Sequence, residues 1–215
     1  MKNILILIDR DGTLIYDDHY HLGKDNYWKS KVKILPKTIE GVKELDKKFP
    51  NSCRFMITNQ PGVAIADFKR LTLKRANDVC KEIVIMFKRQ GAYFDGYIVC
   101  PHVTPEYANK NKQYKFDKRF VDPKCNCLKP NTGMVEEAFE KKKLNPKNTN
   151  VYVIGDRESD VLTALNSRGV GILVPFKNRI EEIKKVEKLK KKHKNQVFIA
   201  RDFKGAVKCI IDKEK

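Results

Sequence analysis

The sequence predicts an α/β fold: a parallel sheet with helices on both faces. Three observations carry this. Strand-like and helix-like segments alternate along the whole chain, the pattern of βαβ units. The first strand is a continuous apolar run, Ile4-Leu5-Ile6-Leu7-Ile8, as expected where both faces of a strand are covered. The residues with chemical potential follow strands, where ligands bind in such sheets.

The elements run in order. Ile4 to Ile8 is the first strand. Ile39, Val42, Leu45 and Phe49 recur at helical spacing. Cys53 to Ile57 is a second strand, closed by the turn Thr58-Asn59-Gln60-Pro61-Gly62. Leu71 to Gln90 forms a long amphipathic helix stopped at Gly91, and Phe94 to Val99 a third strand. From Pro101 to Lys129 the rhythm breaks into a polar, lysine-rich loop. Met134 to Lys143 is helical, Val151 to Ile154 a strand, Ser159 to Asn166 a helix and Gly169 to Val174 a strand. Ile180 to Lys194 is a very basic helix, Gln196 to Ala200 a short strand, and Asp202 caps a last helix to Ile211. No internal repeat or linker interrupts this series, so residues 1–215 read as one domain.

Composition narrows the function classes. A chain of 215 residues, 41% of them hydrophobic, has room for one core. No apolar run is long enough to span a membrane. The apolar start is too short for a secretion signal and runs straight into Asp9-Arg10-Asp11, so a cytoplasmic location is expected. The net charge of +18 attracts phosphate-bearing partners, either nucleic acid or small metabolites. Lysine is spread throughout the chain and no aromatic-interleaved basic patch appears, which favours a general compositional bias over a dedicated nucleic-acid surface. Of six cysteines, Cys53, Cys80 and Cys209 stand alone in apolar surroundings and are expected to be small core residues.

Four segments carry chemistry. In Asp9-Arg10-Asp11-Gly12-Thr13, two carboxylates at a strand end can face one ligand if the chain turns at Gly12. One carboxylate can attack phosphorus, and the other can protonate the leaving oxygen and then activate water. An ordinary Asp-Gly turn is the alternative. A calcium loop is excluded because Leu14 and Ile15 occupy positions that need oxygen ligands. Asp156, in Gly155-Asp156-Arg157-Glu158-Ser159-Asp160, can hold a hard cation such as magnesium, or these acids only cap a helix. Thr58 and Lys129 supply a hydroxyl and an ammonium of the kind that stabilises phosphoryl oxygens. Cys100-Pro-His102 and Cys125-Asn-Cys127 offer four ligands, the number a closed tetrahedral zinc site needs.

Taken together, these segments resemble the haloacid dehalogenase (HAD) superfamily: Asp9-x-Asp11-Gly12-Thr13 is similar to its first motif, Thr58 to its second, Lys129 to its third, and Gly155-Asp156 with Asp160 to its fourth. The resemblance implies Asp9 as nucleophile and Asp11 as acid/base. It implies Thr58, Asn59 and Lys129 around the phosphate, and magnesium held by Asp9, Asp156 and the Asp11 backbone carbonyl. An Asp at position 11 is what hydrolysing members carry. The pattern Cys-Pro-His…Cys-x-Cys-x-Lys-Pro-x-x-Gly-Met resembles the histidinol-phosphate and heptose-bisphosphate phosphatase branch. Thr58-Asn59-Gln60 and the tyrosines after Leu14 (Tyr16, Tyr20) fit it too. That branch implies a three-layer Rossmann-like fold without a separate cap domain, a loop (about residues 100–128) stapled by structural zinc on Cys100, His102, Cys125 and Cys127, and a monomer.

The chain departs from the branch at three places. Leu128 stands where an Arg usually precedes the motif lysine. The turn after Gln60 reads Val63-Ala64-Ile65-Ala66-Asp67, and the zinc loop is long and carries Lys110, Lys112, Lys115, Lys118 and Arg119. The loop cations are either a solvated face or a replacement for the missing Arg. The expected activity is magnesium-dependent phosphomonoester hydrolysis on a small phosphorylated metabolite such as a heptose bisphosphate. Histidinol phosphate is the rival substrate, and a nucleic-acid 3′-end phosphatase a further alternative.

Overall fold

The computed structural model describes residues 2–18 and 21–215; Tyr20 of the tyrosine-rich stretch lies outside them. Six strands form one parallel sheet: β1 (Asn3–Asp9), β2 (Cys53–Asn59), β3 (Gly96–Cys100), β4 (Thr149–Gly155), β5 (Val170–Leu173) and β6 (Val197–Ile199), in spatial order β3-β2-β1-β4-β5-β6. The chain builds outward from β1 through β2 to β3, then returns to lay β4 on the other side of β1. That reversal creates a crevice beyond the carboxyl ends of β1 and β4, the place where open α/β sheets bind ligands. Asp9 ends β1 and Gly155 ends β4, so Asp9 and Asp156 emerge side by side.

Successive side chains of a strand point to opposite faces, and β1 feeds two cores in this way. Ile6 and Ile8 pack with α2 (Thr38–Lys48), α3 (Leu73–Arg89) and α8 (Phe203–Lys213) on one face. Leu5 and Leu7 pack with α5 (Gly133–Lys142) and with Ala164 of α6 (Glu158–Asn166) on the other. Val161 of α6, with Leu173 and Val197, meets Val186 of α7 (Ile180–Lys192) in a satellite cluster. The three-layer expectation holds, and no separate cap domain is present among the described residues.

Several boundaries differ from those read in the sequence. The third strand starts at Gly96 rather than Phe94, because Phe94 turns into the core against Phe87, 5.3 Å away between ring centres. The strand therefore extends to Cys100. Two short helices escaped the sequence: α1 (Trp28–Lys31) and α4 (Pro105–Lys110). The second is capped by Thr104, whose hydroxyl accepts from the Tyr107 N–H at 3.2 Å. Of the cysteines expected in the core only Cys80 is fully buried; Cys53 and Cys209 are half-buried. Asp202 caps α8 as expected, accepting from the Gly205 N–H at 2.9 Å.

Candidate active site and metal centres

At the crevice, three carboxylates meet with almost no water around them. Asp9 is 5% exposed, Asp156 1% and Asp160 1%, and a ligand oxygen from each lies within 4.8 Å of the others. Lys129 enters from the loop before α5 and donates from Nζ to Asp9 Oδ1 and to Asp160 Oδ1, both at 2.5 Å. Asp160 also accepts the Arg157 N–H through Oδ2 at 3.1 Å, so it locks the start of α6 while anchoring Lys129. Gly155 makes this possible, since a Cβ there would sit 2.1 Å from Asp160 Cγ.

Burial outweighs the cations that face these acids. Burial pushes the Asp9 carboxyl up to about 7, opposed by Lys129 and reinforced by Asp160 and Asp11. Burial, helped by Asp9 and Asp160, pushes Asp156 up to about 8 against the pull of Arg157 and Arg179. Burial alone would strip Lys129 of its proton; Asp160 and Asp9 outweigh it and hold the ammonium above the ordinary lysine range. A buried cluster of carboxylate oxygens is what a hard divalent cation fits. Asp9 and Asp156 therefore fit magnesium chemically. The Asp11 carboxylate stands outside this cluster, which leaves its backbone carbonyl as the ligand atom implied by the resemblance.

The Asp11 side chain is held by a separate set of donors. Arg10, only 1% exposed, donates from Nε at 3.0–3.1 Å and pairs through Nη2 at 2.8 Å, while its Nη1 reaches Cys80 Sγ at 3.5 Å. Thr58 Oγ1 donates to Asp11 Oδ2 at 3.2 Å and Gln60 Nε2 at 2.9 Å. Asn59 is spent on the backbone of Lys129: its Oδ1 accepts the Lys129 N–H at 3.2 Å and its Nδ2 donates to the Lys129 carbonyl at 3.4 Å. The backbone at Gly12 has φ +83°, and a Cβ there would lie 2.5 Å from Asp156 Oδ2. Only glycine lets the β1 turn pass this close to Asp156.

Residues singled out less clearly by the sequence complete the site. Arg179 donates from Nη1 to Asp156 Oδ2 at 2.8 Å and from Nη2 to Asp17 Oδ2 at 3.0 Å. Arg157, half-exposed, lies 3.5 Å from Asp17 and 3.8 Å from Asp156. A cavity of about 340 Å³ opens over Asp9, with Thr58, Asn59, Leu128, Lys129 and Arg157 in its wall. Lys110, Lys112, Lys115, Lys118 and Arg119 do not line it, so the loop cations do not replace the Arg missing at position 128. Arg157 is the cation the cavity offers besides Lys129 and the buried Arg10. Its signal was its place two residues past the β4 strand, hidden among acids that look like helix caps.

Cys100, His102, Cys125 and Cys127 converge at the base of the long loop. Cys100 and Cys125 sulfurs are 3.7 Å apart, and Cys125 and Cys127 3.3 Å. His102 Nδ1 lies 3.9, 3.2 and 3.4 Å from Cys100, Cys125 and Cys127. A tetrahedron with arms of about 2.0–2.3 Å has edges of about 3.5–3.8 Å; the separations here, 3.2 to 3.9 Å, bracket those edges, so the four residues could hold a zinc ion. Hydrogen bonding from Cys100 holds Cys127 down to about 6, while the same contact and burial push Cys100 up, and burial pushes Cys125 up. Thiols packed this closely cannot all ionise together without a cation between them.

Comparison with known proteins agrees with this geometry. The HAD-hydrolase-like family model matches residues 126–206. The histidine biosynthesis bifunctional protein HisB of Blochmanniella floridana is 29% identical over 77% of this chain and 39% of its own length. HisB of Buchnera aphidicola subsp. Acyrthosiphon pisum (strain Tuc7) is 29% identical over 100% of this chain and 53% of its own length. The chain thus spans about half, or less, of the curated relatives it matches. In fold it is similar to D,D-heptose 1,7-bisphosphate phosphatase from B. bronchiseptica, solved with magnesium and phosphate, with TM-score 0.68, 19% identity and 99% of each chain covered. A parallel sheet with its buried acids at the β1/β4 switch, and the family match over residues 126–206, make the chain similar to HAD-like hydrolases. Its similarity to HisB and, in fold, to the heptose-bisphosphate phosphatase agrees with the branch that the sequence motifs resemble.

Proposed function

We propose that this chain is a magnesium-dependent phosphomonoesterase working through an aspartyl-phosphate, with residues 1–215 acting as one hydrolase unit. The observation that carries the reading is Lys129 Nζ, 2.5 Å from Asp9 at the floor of the cavity. An ammonium there keeps the Asp9 carboxylate aimed and then faces the phosphoryl oxygens of a bound substrate. Asp9 attacks phosphorus, the bond to the ester oxygen breaks, and Asp11 gives that oxygen its proton. Asp11 then takes a proton from water as the water attacks the phosphoenzyme, which frees phosphate and restores Asp9. Thr58, which touches Asp11, and Lys129 stabilise charge on the transferring group. Asp9, Asp156 and the Asp11 carbonyl would hold magnesium, which when bound would supply charge neutralisation for the phosphoryl group. Zinc on Cys100, His102, Cys125 and Cys127 is structural, since all four positions are filled by protein.

The substrate class is a small phosphorylated metabolite. A cavity of about 340 Å³ matches small-molecule sites. A heptose bisphosphate is favoured by Arg157, whose half-exposed guanidinium can grip a second phosphate. Histidinol phosphate is the second reading, supported by the HisB relatives. A phosphate-release screen across sugar bisphosphates, sugar monophosphates, histidinol phosphate and 3′-phosphorylated oligonucleotides tests this. Turnover only on the oligonucleotides would reject the small-metabolite reading, and no magnesium-dependent release from any of them would reject the phosphatase.

A further inference from the structure

A second cavity, of about 410 Å³, lies behind the catalytic turn, and its wall includes Gly12, Thr13, Pro36, Val174 and Phe176. It shares no residue with the catalytic cavity. We propose that it binds a small organic anion: an apolar, planar body carrying one or two negative charges.

Four observations support this. First, the charged residues around it are Lys37, Lys177, Arg201 and Asp202, three cations against one acid. Lys37 pairs with Asp202 at 2.5 Å and Lys177 with Asp18, whereas Arg201 makes no side-chain hydrogen bond or ion pair among the described residues. Second, Lys37 and Lys177 both have left-handed backbone, φ 67° and 49°, a conformation that is unfavourable for a non-glycine residue. Two lysines held in that conformation at the edge of one cavity point to a use for their position. Third, the Thr13 hydroxyl is buried, lines the cavity and has no hydrogen-bond partner among the described residues; a buried polar atom left unpaired is costly. A ligand acceptor or donor would satisfy it. Fourth, α2 and α8, each of 11 residues, start at the cavity, with N-caps Lys37 and Asp202, and helix N-termini favour anions. Phe176, with Tyr16 6.2 Å away edge-on, and the two prolines supply the flat apolar walls.

The site touches catalysis through one turn. Gly12 and Thr13 border the cavity, and Gly12 backs directly onto Asp156. The test uses 2-naphthalenesulfonate, a planar anion that a phosphatase cannot hydrolyse, followed by titration calorimetry with magnesium and orthovanadate present to fill the catalytic site. Saturable binding is expected to persist under vanadate and to weaken roughly tenfold or more in Arg201→Glu, since a charge-assisted contact becomes a repulsive one. Arg201 makes no side-chain hydrogen bond or ion pair among the described residues, so this variant should keep close to the wild-type melting temperature and basal turnover. Lys37→Gln should weaken binding as well. Displacement of the sulfonate by vanadate, or equal affinity in wild type and both variants, would overturn the site. Sulfate binding as tightly as the sulfonate would overturn the apolar half of the assignment.

Discussion

Lys129→Met removes the one ammonium between Asp9 and Asp160 while keeping an unbranched side chain in its place. Each ion contact, at 2.5 Å, has a gross attraction of about 6–7 kcal/mol at an effective dielectric of about 20. Most of that is offset by the cost of burying the lysine. What remains is the penalty of leaving carboxylates buried without a partner, about 3–5 kcal/mol. A carboxyl can escape by taking a proton, which costs about 1.4 kcal/mol for each pH unit above its ordinary value. From the ordinary 3.8, that escape costs about 6 kcal/mol at pH 8 and about 1.6 kcal/mol at pH 5. The full 3–5 kcal/mol should therefore appear at pH 8 and shrink toward pH 5. For a chain of this size it corresponds to a fall in melting temperature of about 6–20 °C at pH 8. Scanning calorimetry at both pH values, without magnesium, measures it, and phosphate release should be lost at either pH. A variant that melts within 2 °C (about 1 kcal/mol or less) of wild type at pH 8 would refute the claim that Lys129 holds this acid cluster together.

Asp9→Asn should abolish turnover and leave the magnesium-free protein as stable as wild type or more so, because it removes one buried charge; near-normal turnover would end the nucleophile assignment. Purified protein should carry about one zinc per chain, by elemental analysis, and stripping it should disorder residues 100–128 in hydrogen exchange, whereas zinc-free protein with that loop protected would contradict the staple. Asp9 and Asp156, at about 7 and about 8, are raised above the ordinary 3.8, so their contribution to stability is complete below about pH 4. It is lost as pH climbs through 7 and 8. The melting temperature without magnesium should fall across that window, with added magnesium restoring more at pH 8.5 than at pH 6; a magnesium effect independent of pH would count against the shifts. Leu128→Arg should raise kcat/KM on a bisphosphate relative to a monophosphate by roughly ten- to a hundred-fold, the worth of a charge-assisted contact of about 1.5–3 kcal/mol; an unchanged ratio would mean that position 128 does not meet the second anion.

How far the sequence reaches into this structure depends on distance along the chain. The apolar run Ile4 to Ile8 announces a doubly covered strand because each residue faces one core or the other. Asp9, Thr58, Cys100 and Asp156 sit at strand ends, where the parallel-sheet rule puts them. Contacts across the fold are another matter. The Arg179 bridge to Asp17 joins residues 162 apart in sequence, and nothing local to either marks the pair. Arg10 looks like a spacer between two aspartates, yet it is buried and holds Asp11. The loop lysines looked like candidates because they share a loop with the metal ligands, but none of them lines the cavity. Short helices such as α1 and α4 escape because four to six residues cannot display a helical period.

The charges also explain why so basic a chain can have an acid-centred site. Around the crevice, Asp9, Asp11, Asp17, Asp156 and Asp160 face Arg10, Lys129, Arg157 and Arg179: five acids and four cations, nearly balanced. One divalent cation tips that balance to positive, and a phosphate dianion tips it back. A site built this way holds neither partner strongly alone, so magnesium and phosphate should reinforce each other's binding. The net charge of +18 resides elsewhere, largely in surface lysines such as those of α7, where it raises the rate at which anions meet the protein without entering the chemistry. On the proposed mechanism, a site as basic as the surface would trap the product phosphate that the cycle must release.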